Sequence, residues 1–251
     1  MVRLSVNVNK VATLRNSRGG RVPSVVEAVD VCLSGGAPGI TVHPRADRRH
    51  VTPEDVREIA RALEGRRPHV EYNIEGDPRP ELLDLVDEVR PDQCTLVPVV
   101  PGEITSQAGW RSGPGTERIP EVVARLRGLG VRVSLFVDAM REPIQWAAAS
   151  GADRVELYTE PYARAFERGA EAARHSLASY SDAARLAHSL GLGVNAGHDL
   201  DLQNLVAFRE LPFLDEVSIG HALLSRALLI GLPAVVGEYL AVLAPAAGPR
   251  S

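Results

Sequence analysis

Short apolar, β-branched runs recur from one end of the chain to the other, at 4–8, 39–43, 69–74, 93–98, 131–138, 154–158, 193–196 and 216–219. Between them lie longer stretches with apolar residues at i, i+3, i+4 and i+7, clearest at 80–89 and 119–129. Strands that alternate with helices pair in parallel, because each return to the sheet needs a crossover of helical length. Eight such units predict a closed TIM (β/α)8 barrel in preference to an open doubly wound sheet. The punctuation supports this parse. Thr52-Pro53-Glu54-Asp55 supplies a cap, an N1 proline and first-turn acids. Gly35-Gly36, Gly128-Leu129-Gly130, Gly151 and Gly191 are helix stops leading into strands. Two connections are long, 99–116 and 159–176, and the first is expected to cover a site.

The length of 251 residues fits one barrel, so a single domain over 1–251 is expected. A net charge of −4 gives no electrostatic reason to expect a nucleic-acid partner or an anionic membrane. No stretch has the length and apolarity of a membrane span, and no long apolar run opens the chain. Cys32 and Cys94 stand in apolar segments without metal-ligand spacing and read as buried thiols of a reducing compartment. A cytoplasmic protein is expected.

In such a barrel the chemistry gathers at the C-terminal ends of the strands, where the βα loops surround one pocket. Those ends carry Asn7 and Asn9, His43, Glu71 with Asn73, Asp138, Glu156, Asn195 with His198, and Gly220-His221, with Thr105 in the loop after the fourth run. Titratable residues at nearly every strand end suit multistep acid–base work. A helix starting at Gly220-His221 would offer free backbone N–H groups to a phosphate.

At these positions the chain resembles a known family. Val6-Asn7-Val8-Asn9-Lys10-Val11-Ala12-Thr13-Leu14-Arg15-Asn16 looks like the opening segment of the pyridoxine 5′-phosphate synthases. So do Gly39-Ile40-Thr41-Val42-His43-Pro44-Arg45 with Asp47-Arg48-Arg49-His50, Val194-Asn195-Ala196-Gly197-His198, and Ser218-Ile219-Gly220-His221-Ala222. The resemblance spans almost the whole chain. It implies condensation of 1-deoxy-D-xylulose 5-phosphate with 3-amino-2-oxopropyl phosphate through a Schiff base, releasing phosphate and water, without a metal or organic cofactor. It also implies a homo-oligomer, an octamer.

Carried over residue by residue, the resemblance makes His43 and Glu71 proton acceptors, with Glu75 a rival to Glu71. His198 becomes the proton donor and Glu156 the stabiliser of the transition state. Asn7, Arg18, Gly220 and His221 would meet the amino-ketone, together with the turn after His198. Arg45, His50 and Thr105 would meet the sugar phosphate, while Arg48 and Arg49 read as a solvated face. Two departures stand out. Asn9-Lys10 replaces a common Asp-His pair at positions that contact the sugar phosphate, and Asp199 stands where glycine commonly follows the histidine. Asp199 is expected to turn outward from a phosphate or to cap the helix that follows. Competing readings are another phosphosugar barrel enzyme, an isomerase or synthase, and a non-catalytic barrel that binds phosphorylated metabolites.

Overall fold

The structure is a computed structural model that describes residues 1–67, 69–99 and 107–245. Its strands are β1 (Arg3–Asn7), β2 (Gly39–Val42), β3 (Glu71–Gly76), β4 (Gln93–Leu96), β5 (Arg132–Val137), β6 (Arg154–Tyr158), β7 (Gly193–Gly197) and β8 (Leu214–Ile219). Each pairs in parallel with the next, and β8 returns to β1, closing the expected barrel.

The helices around it are α1 (Asn9–Asn16), α2 (Val25–Ser34), α3 (Pro53–Leu63), α4 (Pro80–Val89), α5 (Ile119–Gly128), α6 (Arg141–Ala149), α7 (Glu160–Glu167), α8 (Ala170–Ser189), α9 (Leu205–Phe208), α10 (His221–Ile230) and α11 (Leu232–Leu243). Thr52 and Asp55 close a reciprocal capping box at the start of α3. The segment 159–176, expected as a connection, is largely helical. Pro161 lies in the first turn of α7, where its missing N–H costs nothing, and Gly169 separates α7 from α8.

The strands are two-faced in a way that explains the sequence alternation. One face of each carries apolar side chains such as Leu4, Val6, Ile40, Ile74, Leu135, Val155 and Ile219, all buried against the helices. The other face points into the barrel and is polar. Ser5 meets Thr41 at 2.7 Å, Asn73 donates to Thr41 at 3.3 Å, and Thr95 donates to Asn73 at 3.1 Å. Asn195 on β7 reaches Gln93 on β4 at 3.5 Å, a contact across the barrel. The interior thus holds hydrogen-bonded polar layers where branched aliphatic side chains are usual. At the N-terminal end Glu71 is clamped by Arg132 and, at 3.4 Å, by Arg3.

The described part of the 99–116 connection returns to the barrel at Trp110. Its N–H donates to Phe136 O at 2.7 Å and its indole to Leu96 O at 2.9 Å. Gly109 permits this approach, since a Cβ there would lie 2.3 Å from Val137 Cα. Thr105 lies outside the described residues, as do the other residues of 100–106 in the segment expected to cover the site.

Candidate active site

A cavity of about 380 Å³ opens at the C-terminal ends of the strands. It gathers Asn7, Asn9, Lys10, His43, Arg45, His50, Glu156, His198, Asp199, Gly220 and His221 from the sequence reading, with Glu75, the rival to Glu71, among them. Arg49, expected as part of a solvated face with Arg48, also reaches the cavity lining while pairing with Asp47.

The structure does not bring Glu71 to this cavity. The third strand begins at Glu71 and ends at Gly76, two residues later than the 69–74 expected. Glu71, Asn73 and Glu75 share the inward face in three successive layers. Glu71 therefore occupies the N-terminal end, bound to Arg132 and Arg3, and Glu75 occupies the cavity end. Glu75 Oε2 lies 3.8 Å from His43 Nδ1 and accepts from Asn7 Nδ2 at 3.4 Å.

Both partners of this pair favour their neutral forms. Burial, reinforced by the Glu216 carboxylate, holds the Glu75 proton affinity well above the ordinary carboxylate range. Burial pushes His43 well below the usual imidazole range, and His50, Arg45, His198 and Arg79 add to this. The contact is one across which a proton can pass rather than a fixed ion pair. His43 Nε2 and His50 Nδ1 are buried with no hydrogen-bond partner among the described residues, on two side chains that line the cavity.

The backbone carrying these groups is braced from several sides. His43 N–H donates to Asn9 Oδ1 at 2.9 Å, and Asn9 N–H donates to Asn7 Oδ1 at 3.1 Å. Arg79 reaches Pro44 O, and Asn16 Nδ2 holds His50 O at 2.8 Å. His50 is lowered to about 4 by burial and then by Arg45 and Lys10, so it is neutral near pH 7. Lys10 itself is exposed at the rim.

On the opposite wall Glu156 has no arginine partner among the described residues. Arg154, its neighbour along the chain, is taken by Asn195 at 2.7 Å. Burial and then Glu75 hold Glu156 well above the ordinary carboxylate range, making it a buried acid. A Cβ at Gly197 would stand 2.5 Å from Glu156 Oε1, so glycine is required there for the carboxyl to fit. Gly220 likewise admits Asn7, whose Cβ would be 3.1 Å from an added Cβ. Among the described residues no side chain caps α10, and Gly220, His221 and Ala222 at its start line the cavity.

Two expected contacts fall elsewhere. Arg18 lies on the exposed turn after α1, outside the cavity lining. Asp199 does not cap α9. Asp201 does the local capping, accepting from Gln203 N and Asn204 N at 2.8 and 2.9 Å, while the exposed Asp199 adopts φ 57°. Among the described residues no group of three or more His, Cys, Asp or Glu is arranged to hold a metal ion, and no helix is long and apolar enough to cross a membrane.

Residues 4–245 match the family described as pyridoxal phosphate biosynthesis protein PdxJ. A protein named pyridoxine 5′-phosphate synthase from Christiangramia forsetii is 50% identical over 244 residues, covering 97% of this chain and 100% of that protein. One of the same name from Bacteroides fragilis is 52% identical over 240 residues, covering 95% and 98%. Among solved structures, phosphoribosyl anthranilate isomerase from Thermus thermophilus superposes with a TM-score of 0.59 at 17% identity, covering 96% of this chain and 98% of that one. That likeness is one of fold alone.

Proposed function

Because the chain belongs to the pyridoxal phosphate biosynthesis protein PdxJ family, we propose that it is a pyridoxine 5′-phosphate synthase. It condenses 1-deoxy-D-xylulose 5-phosphate with 3-amino-2-oxopropyl phosphate to pyridoxine 5′-phosphate, phosphate and water. The observation that carries the assignment of groups is the His43–Glu75 contact in the cavity, with His43 Nε2 unpartnered among the described residues.

In this reading the amino-ketone's amine attacks the sugar's carbonyl, water leaves, and a Schiff base forms. The later eliminations and ring closure need protons moved on and off carbon and oxygen. His43 Nε2 takes a proton from the joined substrates, and Nδ1 gives one up across the 3.8 Å contact in the fraction of molecules whose Glu75 carboxyl is ionised. Glu75 replaces Glu71 as the second acceptor. Glu156, protonated in its buried site, donates a hydrogen bond to oxygen that gains charge. His198 returns a proton to the leaving oxygen.

The amino-ketone's phosphate sits at the N-terminus of α10 beside Gly220 and His221, with Asn7 close by. Arg45, His50, Asn9 and Lys10 meet the sugar phosphate, where a guanidinium fork matches phosphate oxygens. Arg18 and Thr105 are left out of this assignment. No step draws on a metal or organic cofactor. Incubating the purified protein with both substrates and following product by mass tests the reading, and absence of product with both present overturns it.

Self-association into a homo-oligomer, an octamer by the family resemblance, belongs to the same reading. Leu228 and Leu229 at the end of α10 are 76% and 83% exposed, which supports a copy-to-copy contact there. Sedimentation at micromolar concentration distinguishes an octamer from a monomer. A cytoplasmic location fits the buried free thiols Cys32 and Cys94, and cell fractionation checks it.

A further inference from the structure

His198 leaves β7 in the left-handed region, with φ 83°, and Asp199 follows at 57°. Two consecutive non-glycine residues seldom hold this conformation unaided. Thr159, fully buried at the end of β6, secures the turn. Its N–H donates to Gly197 O at 3.1 Å, and its hydroxyl lies 2.6 Å from Gly197 O and also contacts His198 O. The imidazole is held as well. Phe136 on β5 packs against it with ring centroids 4.9 Å apart, and Tyr158 on β6 meets it edge-on at 5.5 Å. Phe136 and Tyr158 pack on each other at 5.4 Å, and Tyr158 O accepts from the Tyr180 hydroxyl.

We propose that Phe136, Tyr158 and Thr159 are positioning residues for His198, fixing its backbone and ring so that one edge faces the cavity. This rests on the reading of His198 as proton donor in the synthase reaction. A ring walled by two aromatics cannot rotate freely, and water is excluded from its far side. Tyr158 from β6 contacts it, and the titratable and charged groups that share its cavity are Lys10 from α1, His43, Arg45, Arg49 and His50 after β2, Glu75 from β3, Glu156 from β6, Asp199 in its own turn and His221 from α10. Asp138, at the end of β5, is tied up by Arg111 and Gly109 N. Burial lowers His198 to about 4. At neutral pH the imidazole is therefore uncharged and still carries one N–H to donate.

Three variants test the cradle: Thr159→Val, Thr159→Ser and Phe136→Leu. Each is followed by NMR titration of the His198 imidazole and by pH profiles of kcat and KM. Thr159→Val removes the hydroxyl at nearly constant shape, so kcat should fall about tenfold or more while KM stays within about twofold. Thr159→Ser should retain most of kcat. Phe136→Leu opens the wall to water, so the His198 titration should move up toward the ordinary value of about 6.5. Equal effects of valine and serine at 159, or an unmoved His198 titration in Phe136→Leu, would overturn the cradle. Should Thr159→Val not fold, the Phe136→Leu titration decides alone. A titration that moves while the pH–rate profile stays fixed upholds the cradle and removes His198 from the proton-donor role.

Discussion

Replacing Glu75 by glutamine separates the two carboxylates of β3 that the sequence leaves in competition. The amide keeps volume and an acceptor oxygen, so Asn7 Nδ2, now 3.4 Å from Glu75 Oε2, retains a partner. What is lost is the ability to exchange a proton with His43 across the 3.8 Å gap. Removing a positioned base costs about 10²- to 10⁴-fold, so kcat should fall by that amount with KM within about threefold. Stability should hold, because Glu75 is a buried group whose ionisation the fold opposes.

Glu71→Gln should do the reverse. It leaves Arg132 and Arg3 without their shared countercharge. Those guanidinium side chains are 30% and 43% exposed, so solvent reduces the penalty of a fully buried broken pair to about 1–2 kcal/mol. For a chain of this size that is roughly 2–8 °C in Tm. Product formation under saturating substrates and thermal unfolding of both variants make the comparison. Turnover within about threefold of wild type in Glu75→Gln, or a large kcat loss without destabilisation in Glu71→Gln, refutes the reasoning.

Lys10→Ala should raise KM for the sugar phosphate about tenfold or more and leave that for the amino-ketone nearly unchanged, as a charged contact at one rim predicts; steady-state kinetics with each substrate varied checks it. Gly197→Ala places a methyl 2.5 Å from Glu156 Oε1 and should cost about 1–3 kcal/mol in urea unfolding together with most of the activity. His50 has a folded pKa near 4 against an ordinary 6.5, so the unfolded chain binds more protons between those values and stability is lost as pH falls through them. His50→Asn should therefore lose less stability than wild type between pH 7 and 4, by up to about 3 kcal/mol, in urea titrations at the two pH values.

The barrel was legible because both strand faces are buried with opposite polarity, so Leu4, Val6 and Ile40 alternate with Ser5, Asn7 and Thr41 as a period-two signal. That same period hides register. Sliding β3 by two residues leaves every side chain on its face but moves it about 6.6 Å along the axis, and four residues separate Glu71 from Glu75 by about 13 Å. Only the arginines on β1 and β5, distant in sequence, mark Glu71 as the structural one. The Gly76-Asp77-Pro78 turn that ends the strand was the local clue available. His43, Glu156 and His198 line the cavity because each follows or sits in a strand that ends at the barrel mouth. The segment 159–176 reads as a connection in the sequence, yet neither Pro161 nor Gly169 within it prevents helix. One stands in the first turn of α7 and the other only separates two helices. The Thr159 and Phe136 contacts to His198 are tertiary and left no mark on the sequence around 198.

Ring-forming condensation is read out by product and phosphate release measured together. Purified protein given both substrates should form pyridoxine 5′-phosphate and inorganic phosphate in equal amounts, with neither formed when one substrate is withheld. Glu75→Gln, folded to the same extent, should form almost none. Phosphate released from one substrate alone, or no pyridoxine 5′-phosphate from both, would contradict the account.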